Sequence, residues 1–160
     1  MLKKAPVMVL TLLLLQTLLF CVCPANSAAE EKAVNFSLMD LNNNKVSLSD
    51  FKDKPVMLFF WTTWCPYCRN ELSLLNKKYS SLQEEDIEVL PIDIGETSSK
   101  VASFVKKYKL SYPVFLDKDT KVADAYKLLG VPTYIFINKK GQVSYRGNRF
   151  PRDYQKYILK

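Results

Sequence analysis

The chain has 160 residues, of which 48% are apolar, 24% charged and 12% aromatic, with only 4 Gly and 8 Pro. That length suits one packed domain, and the composition excludes disordered, collagen-like and low-complexity chains. Histidine is wholly absent, which removes Ser-His and Cys-His catalytic pairs, His-ligated metal sites and His proton shuttles.

A net charge of +7 raises nucleic acid as a partner. The basic residues, however, fall in short groups such as Lys77-Lys78, Lys106-Lys107 and Lys139-Lys140, with the acidic Glu84-Glu85-Asp86 between them. No long basic arm interleaved with aromatics occurs, so a mildly basic solvated surface is the better reading and no nucleic-acid partner is expected.

Lys3 and Lys4 precede an almost unbroken apolar stretch from Val7 to Val22, and the small residues Ala25, Ser27, Ala28 and Ala29 follow. This pattern predicts a secretory signal peptide over residues 1–28, cleaved between 25 and 30, with residues 29–160 forming the domain. An uncleaved anchor is the alternative, because the stretch approaches the ~20 residues that span a bilayer. Thr11, Gln16, Thr17 and the small-residue exit weigh against it. Lipid attachment at Cys21 or Cys23 fits poorly with Phe20 and Val22 immediately before them. Export implies an oxidising compartment, where cysteines tend to pair.

Val34–Met39 and Lys45–Leu48 flank an Asn-rich segment and predict a β-hairpin. Val56–Trp61 is continuously apolar, as in a strand covered on both faces. Cys68, Leu72, Leu75, Tyr79 and Leu82 then recur at spacings of three and four, which predicts an amphipathic helix from about Pro66. Ile87–Ile94 reads as a strand in which Pro91 suggests an edge position or a bulge. Ser98 or Ser99 starts a second helix carrying Val101, Phe104, Val105 and Tyr108 on one stripe. Pro113–Leu116 is a short strand, and Thr120–Leu129 predicts a third helix stopped by Gly130. Thr133–Ile137 and Gln142–Arg146 form a hairpin turning at Gly141, and Pro151 starts a last short helix. Strands alternating with helices before a terminal hairpin predict an α/β fold with a mixed sheet.

Removal of the leader leaves Cys65 and Cys68 as the only cysteines, in the sequence C-P-Y-C. So small a loop removes little unfolded-state entropy, which disfavours a purely structural disulfide. No second cysteine pair and no histidine remain to complete a zinc site, so no metal is expected. Pro66 suits the first helical position, which puts Cys65 at the N-cap, against unpaired N–H groups and the positive helix end that favour a thiolate. Cys65 is therefore the expected nucleophile and Cys68, on the core stripe, the shielded resolving thiol. Glu71 lies one turn beyond Cys68 at the margin of that stripe, where desolvation would raise its pKa and fit it for proton transfer. Spacing alone balances this against an ordinary solvated helix carboxylate. In Gly130-Val131-Pro132-Thr133 a cis Val131–Pro132 bond would suit a tight turn into the next strand, although a trans proline is commoner.

The segments FWTTWCPYC and GVPTYIFIN, with Glu71 between them, together resemble the thioredoxin superfamily, and in particular the TlpA/ResA-like exported thiol-disulfide oxidoreductases. The likeness extends over nearly the whole chain after the leader. It implies a thioredoxin-like fold and disulfide exchange without a cofactor, with Cys65 attacking, Cys68 resolving, Glu71 as the active-site acid and Pro132 cis beside the disulfide. Trp64, Pro66, Tyr67, Val131 and Pro132 are then the substrate-contacting residues, with the Val131 backbone pairing to an extended substrate segment. Trp61 and Trp64 match the family's aromatic frame, although Trp61 also suits the core. Pro66 follows the first cysteine where many relatives place proline before the second, and Phe59 stands where thioredoxins carry a buried Asp.

The resemblance further implies protein disulfide substrates, with apocytochrome c and its maturation apparatus a candidate, a membrane electron donor, a monomeric chain and a net reductase. A dithiol oxidase on the same fold is the alternative. A copper-handling module is another, although related copper proteins use a wider cysteine spacing and a histidine. A peroxiredoxin is a third, but the Trp-Cys-Pro-Tyr-Cys setting does not resemble its peroxidatic motif.

Overall fold

The computed structural model of the protein describes residues 31–159. The predicted leader, with Cys21 and Cys23, lies outside them. Seven strands form one mixed sheet: β1 (Ser37–Asp40), β2 (Lys45–Ser47), β3 (Val56–Trp61), β4 (Glu88–Ile94), β5 (Phe115–Asp117), β6 (Thr133–Ile137) and β7 (Val143–Gly147). Four helices accompany them: α1 (Pro66–Glu84), α2 (Ser98–Tyr108), α3 (Lys121–Ala125) and α4 (Gln155–Ile158). The sheet order is β2-β1-β5-β4-β3-β6-β7. Strands β3, β4 and β5 run parallel, while hairpins β1–β2 and β6–β7 close the two edges antiparallel.

All six residues of β3 are buried, as its unbroken apolar run requires. Met57, Phe59 and Trp61 face a core built with α1, α2 and α4, whereas Val56, Leu58 and Phe60 face a second core with Val122 and Tyr126 at α3. Cys68, Leu72, Leu75 and Leu82 fasten α1 to the first core along the predicted stripe. In the first hairpin the Asp40 carboxylate accepts from the Asn42 and Asn44 N–H groups at 2.8 Å, which is why the Asn-rich segment turns there. In the second, Gly141 supplies the positive φ of 74° that the turn requires. Among the described residues no helix is long and apolar enough to cross a membrane.

Three local readings need correction. Pro91 lies neither on an edge nor at a bulge: β4 sits between β5 and β3, and Pro91 pairs opposite Phe59 in regular register. Pairing with β5 begins only at Ile92, so at Pro91 the strand has one ladder neighbour and the missing N–H is tolerated. The third helix stops at Ala125 rather than running to Leu129, and Leu129 is fully exposed. The last helix begins at Gln155, after a turn through residues 152–154, rather than at Pro151.

The early stop of α3 has the same cause as the ends of α1 and α2. Asp86, Lys109 and Lys127 each adopt positive φ, at 56°, 51° and 52°. In each case the next residue, Ile87, Leu110 or Leu128, donates its N–H back to the carbonyl of Leu82, Val105 or Ala123. The left-handed residue itself donates to Gln83, Lys106 or Asp124. This paired pattern is a Schellman motif, normally built on glycine. At α3 Lys127 plays the part that the sequence reading gave to Gly130, whose φ is not positive.

The test is a pair of substitutions followed by urea unfolding. Lys127→Gly relieves a side chain held in the left-handed region and raises stability by about 0.5–1 kcal/mol. Gly130→Ala, with open space around the added carbon, changes stability by less than about 0.5 kcal/mol. The reverse ordering would place the helix stop at Gly130 after all.

Candidate active site

The loop from β3 to α1 ends at Cys65, which occupies the N-cap of α1 with extended backbone (φ −78°, ψ 113°), and Pro66 follows at the first helical position. The Sγ of Cys65 accepts the Cys68 backbone N–H at 3.1 Å, so sulfur satisfies one of the donors that a helix start leaves unpaired. Cys65 and Cys68 are joined in a disulfide with their Cα atoms 5.3 Å apart. Both are buried, Cys65 at 3% exposure and Cys68 at 0%, while their neighbours Trp64 and Tyr67 stand out at 64% and 73%.

Across from the disulfide, the turn before β6 carries a cis Val131–Pro132 bond. The Val131 carbonyl oxygen comes within 3.8 Å of Cys65 Sγ. Thr133 Oγ1 donates to the Gly130 carbonyl at 2.7 Å and ties this turn together. A groove of about 820 Å³ opens between the turn and α1, lined by Tyr67, Glu71, Leu129, Val131, Pro132 and Arg149 among others. Of the residues expected to touch substrate, Tyr67, Val131 and Pro132 line this groove. Trp64 and Pro66 are exposed next to the disulfide but outside the groove.

Glu71 sits at the groove wall with one oxygen doubly engaged, its Oε2 accepting from the Tyr134 hydroxyl and from the Phe150 N–H, both at 3.1 Å. Burial and the nearby Glu71 charge hold Tyr134 far above the usual phenol range, so it remains a donor across the physiological range. The Tyr134 ring in turn stacks on Phe59 with centroids 4.5 Å apart. Trp61 belongs to the core, tilted against Phe104 at 5.2 Å and fully buried.

Several features escape the sequence reading. Leu129 and Arg149 line the groove, yet Leu129 reads as part of a helical stripe and Arg149 sits in a polar segment without periodic pattern. More substantially, Glu96, from the segment after β4, grips the loop ahead of Cys65. Its carboxylate accepts the Thr63 N–H at 2.6 Å and the Thr63 hydroxyl at 2.8 Å, and pairs with Lys100 at 2.5 Å. A one-turn helical spacing links Glu96 to Lys100 and is visible in the sequence; the contact to Thr63 spans 33 positions and leaves no local trace. Among the described residues no three His, Cys, Asp or Glu side chains gather as a metal site would require.

Residues 29–146 match the AhpC/TSA family. The thiol-disulfide oxidoreductase ResA of Bacillus thuringiensis is 36% identical over 132 residues, covering 81% of this chain and 76% of that one. ResA of Bacillus subtilis is 39% identical over 111 residues, 69% of this chain and 62% of its own length. Among solved structures, the thioredoxin domain of a thiol-disulfide oxidoreductase from Bacteroides vulgatus superposes with a TM-score of 0.69 at 26% identity, over 76% of this chain and 89% of that one. The chain belongs to the AhpC/TSA family and, with these ResA relatives, is a thiol-disulfide oxidoreductase of thioredoxin-like fold.

Proposed function

We propose that the protein is an exported disulfide reductase that acts on protein substrates through Cys65 and Cys68. The observation that carries this reading is the seat of Cys65: its sulfur caps α1 and faces the Val131 carbonyl of the cis turn, at the mouth of a groove able to take an extended segment. In the reduced enzyme the helix start stabilises a Cys65 thiolate. That thiolate attacks one sulfur of the substrate disulfide; a Cys65–substrate bond forms as the substrate bond breaks, and the departing thiolate takes a proton. Cys68 then gives up its proton and attacks Cys65, which releases the second substrate thiol and closes the Cys65–Cys68 disulfide. Two electrons have passed to the substrate. Glu71, one turn beyond Cys68 and held by Tyr134 and Phe150, is positioned to take the Cys68 proton. No cofactor enters the exchange.

The substrate backbone pairs with Val131 beside the disulfide, while Tyr67, Pro132 and the exposed Trp64 and Pro66 supply the contacts around it. The reducing direction draws on the fully buried Cys68, whose apolar surroundings keep it a neutral thiol, so that no second thiolate adds to the stability of the reduced form. It draws also on the likeness to proteins kept reduced by a membrane donor. Apocytochrome c and its maturation apparatus are the candidate partners, reached after export by the leader over residues 1–28.

Cys65→Ser should abolish turnover, and Cys68→Ser should accumulate covalent substrate adducts that a reducing agent releases. A Cys68→Ser protein that turns over normally and traps nothing defeats the assigned roles. Glu71→Gln should slow exchange by up to about 100-fold, the lower range for general acid–base catalysis.

Thiol trapping in cells that contain the donor should find the pair mostly as dithiol, in an extracytoplasmic fraction and on a chain that lacks its leader. A pair found steadily disulfide-bonded, together with efficient oxidation of reduced peptides, makes the enzyme an oxidase instead. Full-length chain in the membrane makes the leader an anchor.

A further inference from the structure

Beneath the loop that presents Cys65 lies a second carboxyl group that the exchange chemistry does not use. Asp93 in β4 is fully buried, and no amide, hydroxyl or ammonium donor pairs closely with either of its oxygens; its carboxyl faces that of Glu96. It pairs in register with Trp61 of β3 and Leu116 of β5, so strand alternation places it on the face of the sheet that also carries Cys65 and Cys68. Its charged surroundings are few. Glu96 follows three residues on, Lys100 reaches in from α2, and Asp117 of β5, one residue past Leu116, points to the opposite face, where it accepts the Val122 and Ala123 N–H groups. From α1, Arg69 reaches only the Thr63 carbonyl, at 3.4 Å.

We propose that Asp93 and Glu96 work as one positioning unit for the attacking thiol: they hold a single proton, on Asp93, and this leaves Glu96 ionised and clamped on Thr63, two residues before Cys65. The proposal rests on the reading of Cys65 as the attacking thiol and adds what holds its loop in place.

The physical case begins with desolvation. A buried carboxylate without partners is far costlier than a buried carboxylic acid. Burial first, then a hydrogen bond shared with the Glu96 carboxylate and then its charge, push Asp93 up to about 8, with Lys100 and the Glu96 backbone opposing in part. For Glu96 burial acts in the same upward direction, yet the Lys100 ammonium and the Thr63 N–H outweigh it and hold this carboxyl below its usual range. Two neighbouring acids are thus driven apart, and the proton stays on the one that Lys100 and Thr63 do not hold. Thr63 is held on three sides as a result: N–H and hydroxyl by Glu96, carbonyl by Arg69. Ionisation of Asp93 would set a second negative charge against Glu96 in a dry layer, compete for Lys100 and loosen that hold.

Asp93 carries its proton in the folded chain, but not in the unfolded one, between about pH 4 and pH 8. Stability therefore falls as pH rises through that window and levels off above it. The first measurement is the unfolding midpoint of the oxidised chain against pH. Asp93→Asn should exceed wild type by a margin that grows from pH 4 to 8 and is constant beyond. A margin independent of pH means Asp93 is ionised when folded, and overturns the proposal.

The second measurement is the rate at which iodoacetamide alkylates Cys65 in a Cys68→Ser background, across pH 5–10. Glu96→Ala should change the rate by about 10-fold or more, the scale set by misplacing a reacting group. Glu96→Gln, which keeps one acceptor for Thr63, should restore part of it. Asp93→Asn should match the parent at low pH and diverge from it above pH 8. Should Glu96→Ala fail to fold, Thr63→Ala removes one of the two donors and is read the same way. Rates and profiles identical to the parent overturn the proposal. A parent no more reactive than free cysteine instead defeats the assignment of Cys65 as attacking thiol, while the unfolding comparison still judges the carboxyl pair.

Discussion

A helix start leaves backbone N–H groups without partners, and here a sulfur fills one of those places. The N–H of Cys68 reaching Cys65 Sγ at 3.1 Å is the contact on which the rest of the site depends. It requires helix α1 to begin at Pro66, and that start is set from both directions. Behind it, β3 is buried along its whole length and so leaves only four residues, Thr62 to Cys65, to reach the helix. Ahead of it, Cys68, Leu72, Leu75 and Leu82 seat the helix on the sheet in one rotational setting. With both ends fixed, the chain has little freedom to place its sulfur elsewhere.

These are also the parts that the sequence makes legible. An unbroken apolar run and a three–four spacing are local signals, and β3 and α1 both follow them. The cis bond at Pro132 follows only from the whole pattern of motifs that resembles a known family, because a Val-Pro pair alone carries no such information. Helix ends were harder. The usual stop signal is glycine, and with only four glycines in the chain the stops fall instead on Asp86, Lys109 and Lys127. What those three positions share is the apolar residue that follows, Ile87, Leu110 or Leu128, each packed into a core. Burial of that next residue offsets the left-handed backbone, and the signal lies one position beyond where a glycine rule looks.

Long-range polar contacts were illegible for a different reason. In the sequence, Asp93 is one acid near the end of a predicted strand and Glu96 another just beyond it, with nothing local to link either to the loop before Cys65. Only the parallel register of β3 with β4 brings Trp61 beside Asp93 and sets Glu96 under Thr63. The same holds for Tyr134, which reads as one more apolar member of β6 until the fold carries its hydroxyl to Glu71, 63 positions away.

Phe59 ties these observations together. At the position where thioredoxins carry a buried acid, this chain has a phenyl ring, so the proton relay of that strand position is absent and Glu71 is the acid left to serve. The ring is stacked on Tyr134 at 4.5 Å, and Tyr134 donates to Glu71. A carboxylate at position 59 could not pack against that aromatic face without losing its hydration. The substitution thus gives up an acid on the strand and steadies one that arrives from the helix. Glu71, unlike a strand residue at position 59, stands at the wall of an open groove. On the proposed reading, a proton taken there has a route to solvent, and the aromatic stack behind Tyr134 and the acid on α1 then work as one device.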